Sequence, residues 1–177
     1  MPQGSILGPL LFLIFINDIV SDIGSNIRLF ADDTSMYLVV EKNPNIAAAT
    51  LQSDIDKVSN WADKWHVDFN PSKSKCLLIS RKTGVNPHPS LYMNGVQVSP
   101  ASDHNHLGLL LSGYGTWQSR IEYMKAKAWK RIHIMRKLKF ELDRKALETI
   151  YLSFKRPILE YADIVWDNCS MHEKNEK

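Results

Sequence analysis

The sequence predicts an α+β protein in which long amphipathic helices alternate with short antiparallel hairpins. Two observations carry that prediction. Apolar residues recur every three or four positions through Leu51, Ile55, Val58, Ala62 and Trp65, and again through Trp117, Ile121, Met124, Ala128, Ile132, Met135 and Leu138. That is the period of a helix with one buried face. Short runs rich in β-branched and aromatic residues flank turn signals of hairpin length, Asp32-Asp33-Thr34 and Asn94-Gly95. With 177 residues, 44% hydrophobic and 23% charged, the chain can bury a core as one domain, or one domain plus a small appendage.

Ile6 to Ile16 is apolar apart from Gly8 and Pro9. It is too short to span a bilayer, which needs about 20 residues. No basic residue precedes it and no small-x-small cleavage site follows, so it reads as a helix rather than a secretory leader. Pro9 suits its first turn and Ser5 its cap. Leu10 to Val20 is apolar nearly all round, which predicts burial on most sides, and Gly24 is expected to close the helix.

Ile27–Phe30 and Ser35–Val40 then form the two arms of a hairpin around Asp32-Asp33-Thr34. Pro44 starts the helix of the first apolar stripe, with Asp54, Asp56, Lys57, Asp63 and Lys64 as its polar remainder. Asn70-Pro71-Ser72-Lys73-Ser74-Lys75 is a turn, and Cys76–Ser80 a short buried strand. Gly84 to Ser90 is a polar loop. Residues 91–98 read as a hairpin with a type I′ turn at Asn94-Gly95, and His106–Ser112 as one more strand. Gly113-Tyr114-Gly115 marks a boundary before the second apolar stripe. Asp143 caps a further helix lined by Leu147, Ile150, Tyr151 and Phe154, which Pro157 is expected to interrupt; Ile158–Trp166 continues helically.

Charge is unevenly distributed. Arg120 to Arg156 holds 12 Lys/Arg against 4 Asp/Glu, while the rest holds 10 against 15. A basic segment of this kind attracts polyanions, although a solvated helix face would read the same way. Cys76 and Cys169 fit neither a metal-ligand spacing nor a disulfide framework and read as reduced thiols within a cell. His104 and His106 read as loop histidines.

Adjacent carboxylates on one tight turn repel each other. A divalent cation offsets that repulsion, because Mg²⁺ takes hard oxygen ligands and is usually held by one or two carboxylates plus substrate phosphates. Alone, Asp32-Asp33 reads more simply as a solvated turn.

Four segments in order change that reading. Pro2-Gln3-Gly4-Ser5 with Leu7-Gly8-Pro9-Leu10-Leu11-Phe12, Phe30-Ala31-Asp32-Asp33-Thr34, Asn70-Pro71-Ser72-Lys73-Ser74-Lys75 and His106-Leu107-Gly108 closely resemble the reverse transcriptases of non-LTR (LINE-type) retrotransposons. The resemblance implies a partial right-hand polymerase palm over 1–112, a basic helical thumb over 113–167 and a polar tail over 168–177. It implies RNA-directed DNA synthesis by nucleotidyl transfer onto a primer 3′-hydroxyl. Two Mg²⁺ ions, with Mn²⁺ as an alternative, would stabilise the attacking and leaving oxygens.

In this reading Asp32 and Asp33 are the metal ligands, Asp32 the primary one. Lys73 neutralises or protonates the leaving pyrophosphate, with Lys75 as a competing register. Pro2, Gln3, Gly4, Ser5, Phe30 and Ala31 contact nucleotide and template, while Leu107 and Gly108 form the primer grip. Arg120, Lys125, Lys127, Lys130, Arg131, Arg136 and Lys137 track the nucleic-acid backbone. The implied partners are an RNA template, a DNA primer and deoxynucleoside triphosphates. The implied location is intracellular, in nucleus or cytoplasm, and not a membrane.

The family's palm carries a further carboxylate upstream of the Pro-Gln-Gly-Ser motif, together with fingers. The expectation is therefore a fragment that lacks the N-terminal polymerase half and is inactive in isolation. The alternative is a non-enzymatic nucleic-acid-binding remnant of a degenerate element.

Overall fold

The computed structural model describes residues 4–40, 43–81 and 89–166. The chain forms two compact units, Met1–Cys76 with Gly84–Pro100 and Leu77–Thr83 with Ala101–Lys177. Helices and short antiparallel hairpins share the chain, as the sequence predicts. Among the described residues no helix is long and apolar enough to cross a membrane.

In the first unit, α1 (Gly8–Ile16) starts with Pro9 in its first turn and runs into a single 3₁₀ turn, Asn17–Val20. Ser5 does not cap it: the capping position is Leu7, and no side chain bonds the helix end. Nor is α1 buried on most sides. Of its residues only Ile16 is fully buried, while Leu10, Leu13 and Ile14 are more than half exposed. A helix apolar all round has no preferred face, and here one side alone finds partners: Phe15 lies 5.6 Å from the rings of both Trp61 and Trp65. Gly24 lies beyond the 3₁₀ turn and does not close the helix; the residue in left-handed conformation there is Asp22.

Strands β1 (Asn26–Phe30) and β2 (Asp33–Tyr37) pair antiparallel, with Phe30 opposite Asp33 and Leu29 opposite Thr34. The turn is therefore Ala31-Asp32, one residue earlier than expected, and Asp33 already belongs to the strand. Helix α2 (Pro44–Trp65) is capped by the Asn43 side chain, which accepts from the Asn45 N–H at 3.0 Å. Ile55, Val58 and Ala62 of the predicted stripe are buried. Asp54, expected on the polar side, is buried as well.

Ile55 packs with Leu91, Met93 and Val98, and Val58 with Ile16 and Ile19. The predicted hairpin is β4 (Tyr92–Met93) and β5 (Val96–Gln97), and the positive φ of Asn94 (50°) and Gly95 (76°) is what a type I′ turn requires. The Gln52 amide ties it to α2, accepting from the Tyr92 N–H at 2.8 Å and donating to the Tyr92 carbonyl at 2.9 Å. Strands β3 (Lys75–Leu77) and β6 (Ser99–Ala101) straddle the division of the chain into units. Cys76 is a free, half-buried thiol that burial pushes above its ordinary pKa; Cys169 and the tail lie outside the described residues.

In the second unit, β7 (Asp103–His106) and β8 (Leu109–Ser112) form a hairpin where a single strand was expected. Leu107 (φ 49°) and Gly108 (φ 79°) make its turn. Helix α3 (Gln118–Leu138) buries Ile121, Met124 and Ala128. Helix α4 (Arg144–Ile150) is capped as expected by Asp143, which accepts from the Ala146 N–H at 2.8 Å. Pro157 does not interrupt the helical path. A wide π-turn, Tyr151–Lys155, precedes it, and Pro157 sits in the first turn of α5 (Arg156–Glu160), where its missing N–H costs little. The path breaks instead at Tyr161-Ala162, with Ala162 at φ 56°, before α6 (Asp163–Trp166). Ile121, Met124 and Trp166 form this unit's core with Leu109, Ile158 and Ala162 against it.

Candidate functional site

The tip of the β1–β2 hairpin carries the two carboxylates in the open. Strand alternation puts Leu29 and Met36 on the side that packs against the first unit's core. Phe30, opposite Asp33, lies on the other side, and Asp33 and Phe30 are both exposed. Ala31 enters the turn at φ 52°, an unfavourable conformation for a residue with a Cβ, and Asp32 follows it. Among the described residues, no hydrogen bond or ion pair engages the carboxylate of Asp32 or Asp33. Two exposed hard-oxygen donors with their lone pairs unused fit a divalent cation that keeps water and phosphate as its other ligands. Among the described residues, no group of three or more His, Cys, Asp or Glu side chains is placed to hold a metal ion by itself.

The other expected site residues fall in several places. Pro2 and Gln3 lie outside the described residues. Gly4 has φ +90°, with open space where a Cβ would stand, and Ser5 is exposed. Lys73 is exposed on a turn that Asn70 organises: the Asn70 side chain accepts from the Ser72 N–H (3.1 Å), the Ser72 hydroxyl (2.6 Å) and the Lys73 N–H (3.3 Å). This local bonding fixes the backbone and leaves the lysine stem unused. Leu107 and Gly108 belong to the second unit, at the tip of its hairpin.

Along α3, Lys127, Lys130, Arg136 and Lys137 are exposed, while Lys125 and Arg131 are half-buried. Cations and aromatic rings interleave on this surface. Lys127 lies 4.4 Å from the Tyr123 ring, Arg131 4.1 Å from Phe154 and Arg136 5.8 Å from Trp129. Arg120 departs from this set. It is buried, and its guanidinium donates to the carbonyls of Gly108 (3.0 Å) and Tyr161 (3.3 Å), so it presents no charge to an exterior phosphate. Burial lowers its pKa, against smaller opposing effects of Tyr123 and Tyr161.

Sequence reasoning missed Asp54. Its carboxylate accepts from the N–H groups of Gly24 (3.1 Å) and Ser25 (2.7 Å) and from the Lys57 ammonium (3.1 Å). Burial alone would raise its carboxyl; those hydrogen bonds together outweigh it and hold the group below the ordinary carboxylate value. Lys57 also donates to the Asp22 carbonyl at 2.6 Å. Asp54 thus locks the segment that leads into β1, and so sets where the Asp32-Asp33 hairpin begins.

Comparison with known proteins identifies the family. Residues 1–131 match the family model described as reverse transcriptase (RNA-dependent DNA polymerase), and the chain belongs to that family. Its similarity is to the polymerases of non-LTR, LINE-type retrotransposons. The RNA-directed DNA polymerase from mobile element jockey of Drosophila melanogaster is 33% identical over 68% of this chain and 14% of its own length. The probable RNA-directed DNA polymerase from transposon X-element of the same fly is 30% identical over 98% of this chain and 20% of its own. The jockey polymerase of Drosophila funebris is 31% identical over 92% and 19%. The chain therefore spans about a fifth or less of the length of these relatives. No solved structure matches it.

Proposed function

We propose that this chain supplies the metal-holding hairpin and the nucleic-acid-tracking helices of an RNA-directed DNA polymerase, its first unit a part of the palm and the helices after Trp117 its thumb. The exposed, unpaired carboxylates at the tip of a two-stranded hairpin carry the reading, because a rigid hairpin positions ligands more closely than a mobile loop. Asp32, with Asp33 beside it, would hold Mg²⁺, or Mn²⁺ in its place. The ion would supply charge stabilisation at the phosphate undergoing displacement. Phe30 and Ala31 shape the approach to the carboxylates, and Gly4 leaves room for a nucleotide or base pair to come close. Lys73 offers a mobile cation, or a proton, to a leaving pyrophosphate. Lys127, Lys130, Arg131, Arg136 and Lys137, with Lys125, would follow the phosphates of an RNA–DNA duplex without reading its sequence.

The test is primer extension on an RNA template by a full-length jockey-type polymerase whose matching segment is replaced by this chain, with Mg²⁺ and all four deoxynucleoside triphosphates. Extension is expected to survive the replacement and to disappear with Asp32→Ala. An Asp32→Ala protein that still extends at the unmodified rate sinks the assignment.

A further inference from the structure

The Leu107–Gly108 turn is held from the far end of its unit. The Tyr161 hydroxyl donates to the Leu107 carbonyl. The Tyr161 ring lies under Gly108, so close that a Cβ on that glycine would touch it at 3.5 Å. Arg120 Nη1 donates to the Gly108 carbonyl at 3.0 Å, and its guanidinium carbon sits 5.7 Å from the centre of the Tyr161 ring. Tyr161 is itself fixed. The break between α5 and α6 frees its carbonyl from helical pairing, and that carbonyl accepts from Arg120 Nη2 (3.3 Å) and from the buried Trp166 indole N–H (2.9 Å). Both turn carbonyls are thus claimed by side chains lying 12 and 54 residues along the chain.

This arrangement is more than core filling. Arg120 is 3% exposed, its Nε has no partner, and among the described residues no carboxylate is paired with it. A buried cation compensated only by carbonyls and a ring face is a costly way to occupy volume; an apolar side chain of the same size would fill the space more cheaply. What the guanidinium provides and a methionine cannot is a fork that fixes two carbonyls at once. The object of that fork is a turn whose first residue, Leu107, stands in a left-handed conformation that only surrounding structure can enforce.

We propose that Arg120, Tyr161 and Trp166 are positioning residues that set the Leu107–Gly108 turn in the geometry in which it holds a primer strand. The segment after Pro157 thereby governs primer engagement. The proposal rests on the reading of that turn as primer-handling. Tyr161 and Trp166 lie beyond the residues that match the family model.

The test uses the full 177-residue chain and two probes, an RNA–DNA duplex with a recessed primer 3′ end and a blunt duplex of the same sequence. Tyr161→Phe keeps the ring and removes one hydrogen bond. It is expected to move the backbone amide signals of Leu107 and Gly108 in a nitrogen–proton correlation spectrum and to lower the melting temperature by no more than about 4 °C. Binding of the recessed duplex is expected to weaken about fivefold, the effect of one hydrogen bond, with binding of the blunt duplex unaltered. Trp166→Phe is expected to move the same signals. Turn signals that stay in place in both variants overturn the proposal. Equal weakening on both duplexes overturns the link to the primer end. Leu107→Asp separates the two ideas: if it leaves recessed-end binding intact, the primer-handling reading falls, while the amide signals still decide whether the side chains hold the turn.

Discussion

Two hairpins in this chain share a backbone plan and differ in what surrounds their tips. The turn of β1–β2 is Ala31-Asp32 and that of β7–β8 is Leu107-Gly108, and each opens on a residue with a Cβ at positive φ, 52° and 49°. The first tip is bare: its carboxylates make no hydrogen bond or ion pair among the described residues. The second is gripped by Arg120 and Tyr161. An open tip suits ligands that arrive from outside and bring their own oxygens. A gripped tip suits a surface whose shape must be fixed before anything binds. The β4–β5 hairpin, with Asn94-Gly95, needs neither treatment, because its turn residues adopt positive φ readily.

The largest effect expected from this contrast is on activity at the open tip. Asp32→Ala should lower primer extension by the jockey-type polymerase carrying this chain by at least about 100-fold. The melting temperature of the chain should stay within about 2 °C, because no native partner is lost. At the gripped tip the balance should reverse: Arg120→Ala should destabilise the chain by about 2–3 kcal/mol in urea unfolding, since the buried stem leaves a cavity as well as two carbonyls without their donor. Arg120→Met, which keeps volume and removes the buried charge, should remain within about 1 kcal/mol of the native chain. A destabilised Asp32→Ala together with an unaffected Arg120→Ala would erase the distinction between the tips.

Asp54 provides a third measurement, on the support behind the open tip. Asp54→Asn should cost about 1–3 kcal/mol, because an amide cannot accept from Gly24, Ser25 and Lys57 together. The pH dependence follows from its lowered pKa. Its contribution is fully present above the unfolded carboxyl value of about 3.9 and is lost as pH falls through the lower folded value. Acid unfolding monitored by circular dichroism should therefore be shallower below about pH 4 in Asp54→Asn. The smallest effect is expected for Ala31→Gly, which relieves the positive φ and should add about 0.5 kcal/mol after glycine's entropy is counted.

The helices and the Asn94-Gly95 hairpin were legible because their signals are local: a repeat of three and four, a proline at a start, a two-residue turn. The carboxylate pair was legible through its motif. Asp54 and Arg120 were hidden although both sit on the apolar stripes. Asp54 is three residues after Leu51 and four before Val58, and Arg120 three after Trp117 and four before Met124. Periodicity places them inward and polarity places them outward, and the conflict is settled by partners distant in sequence, the Gly24 and Ser25 amides and the Gly108 and Tyr161 carbonyls. Spacing did not reveal those partners. The same limit explains the shifted turn at Ala31, which no glycine announced, and the second strand of β7–β8. It also explains α1, where uniform apolarity suggested burial without naming a face.

The family match ends at residue 131, within α3, yet the hydrophobic centre of the second unit is closed from both ends. Ile121 and Met124 come from before that point, Ile158 and Trp166 from after it. The stretch that matches the family model is thus shorter than the stretch that packs together as one core. A protease or a cloning boundary placed at the end of the family-model match would strip Ile158 and Trp166 from Ile121 and Met124 and leave a sticky half-helix. Any transplant of this region into a relative has to run through Trp166 to carry that core with it.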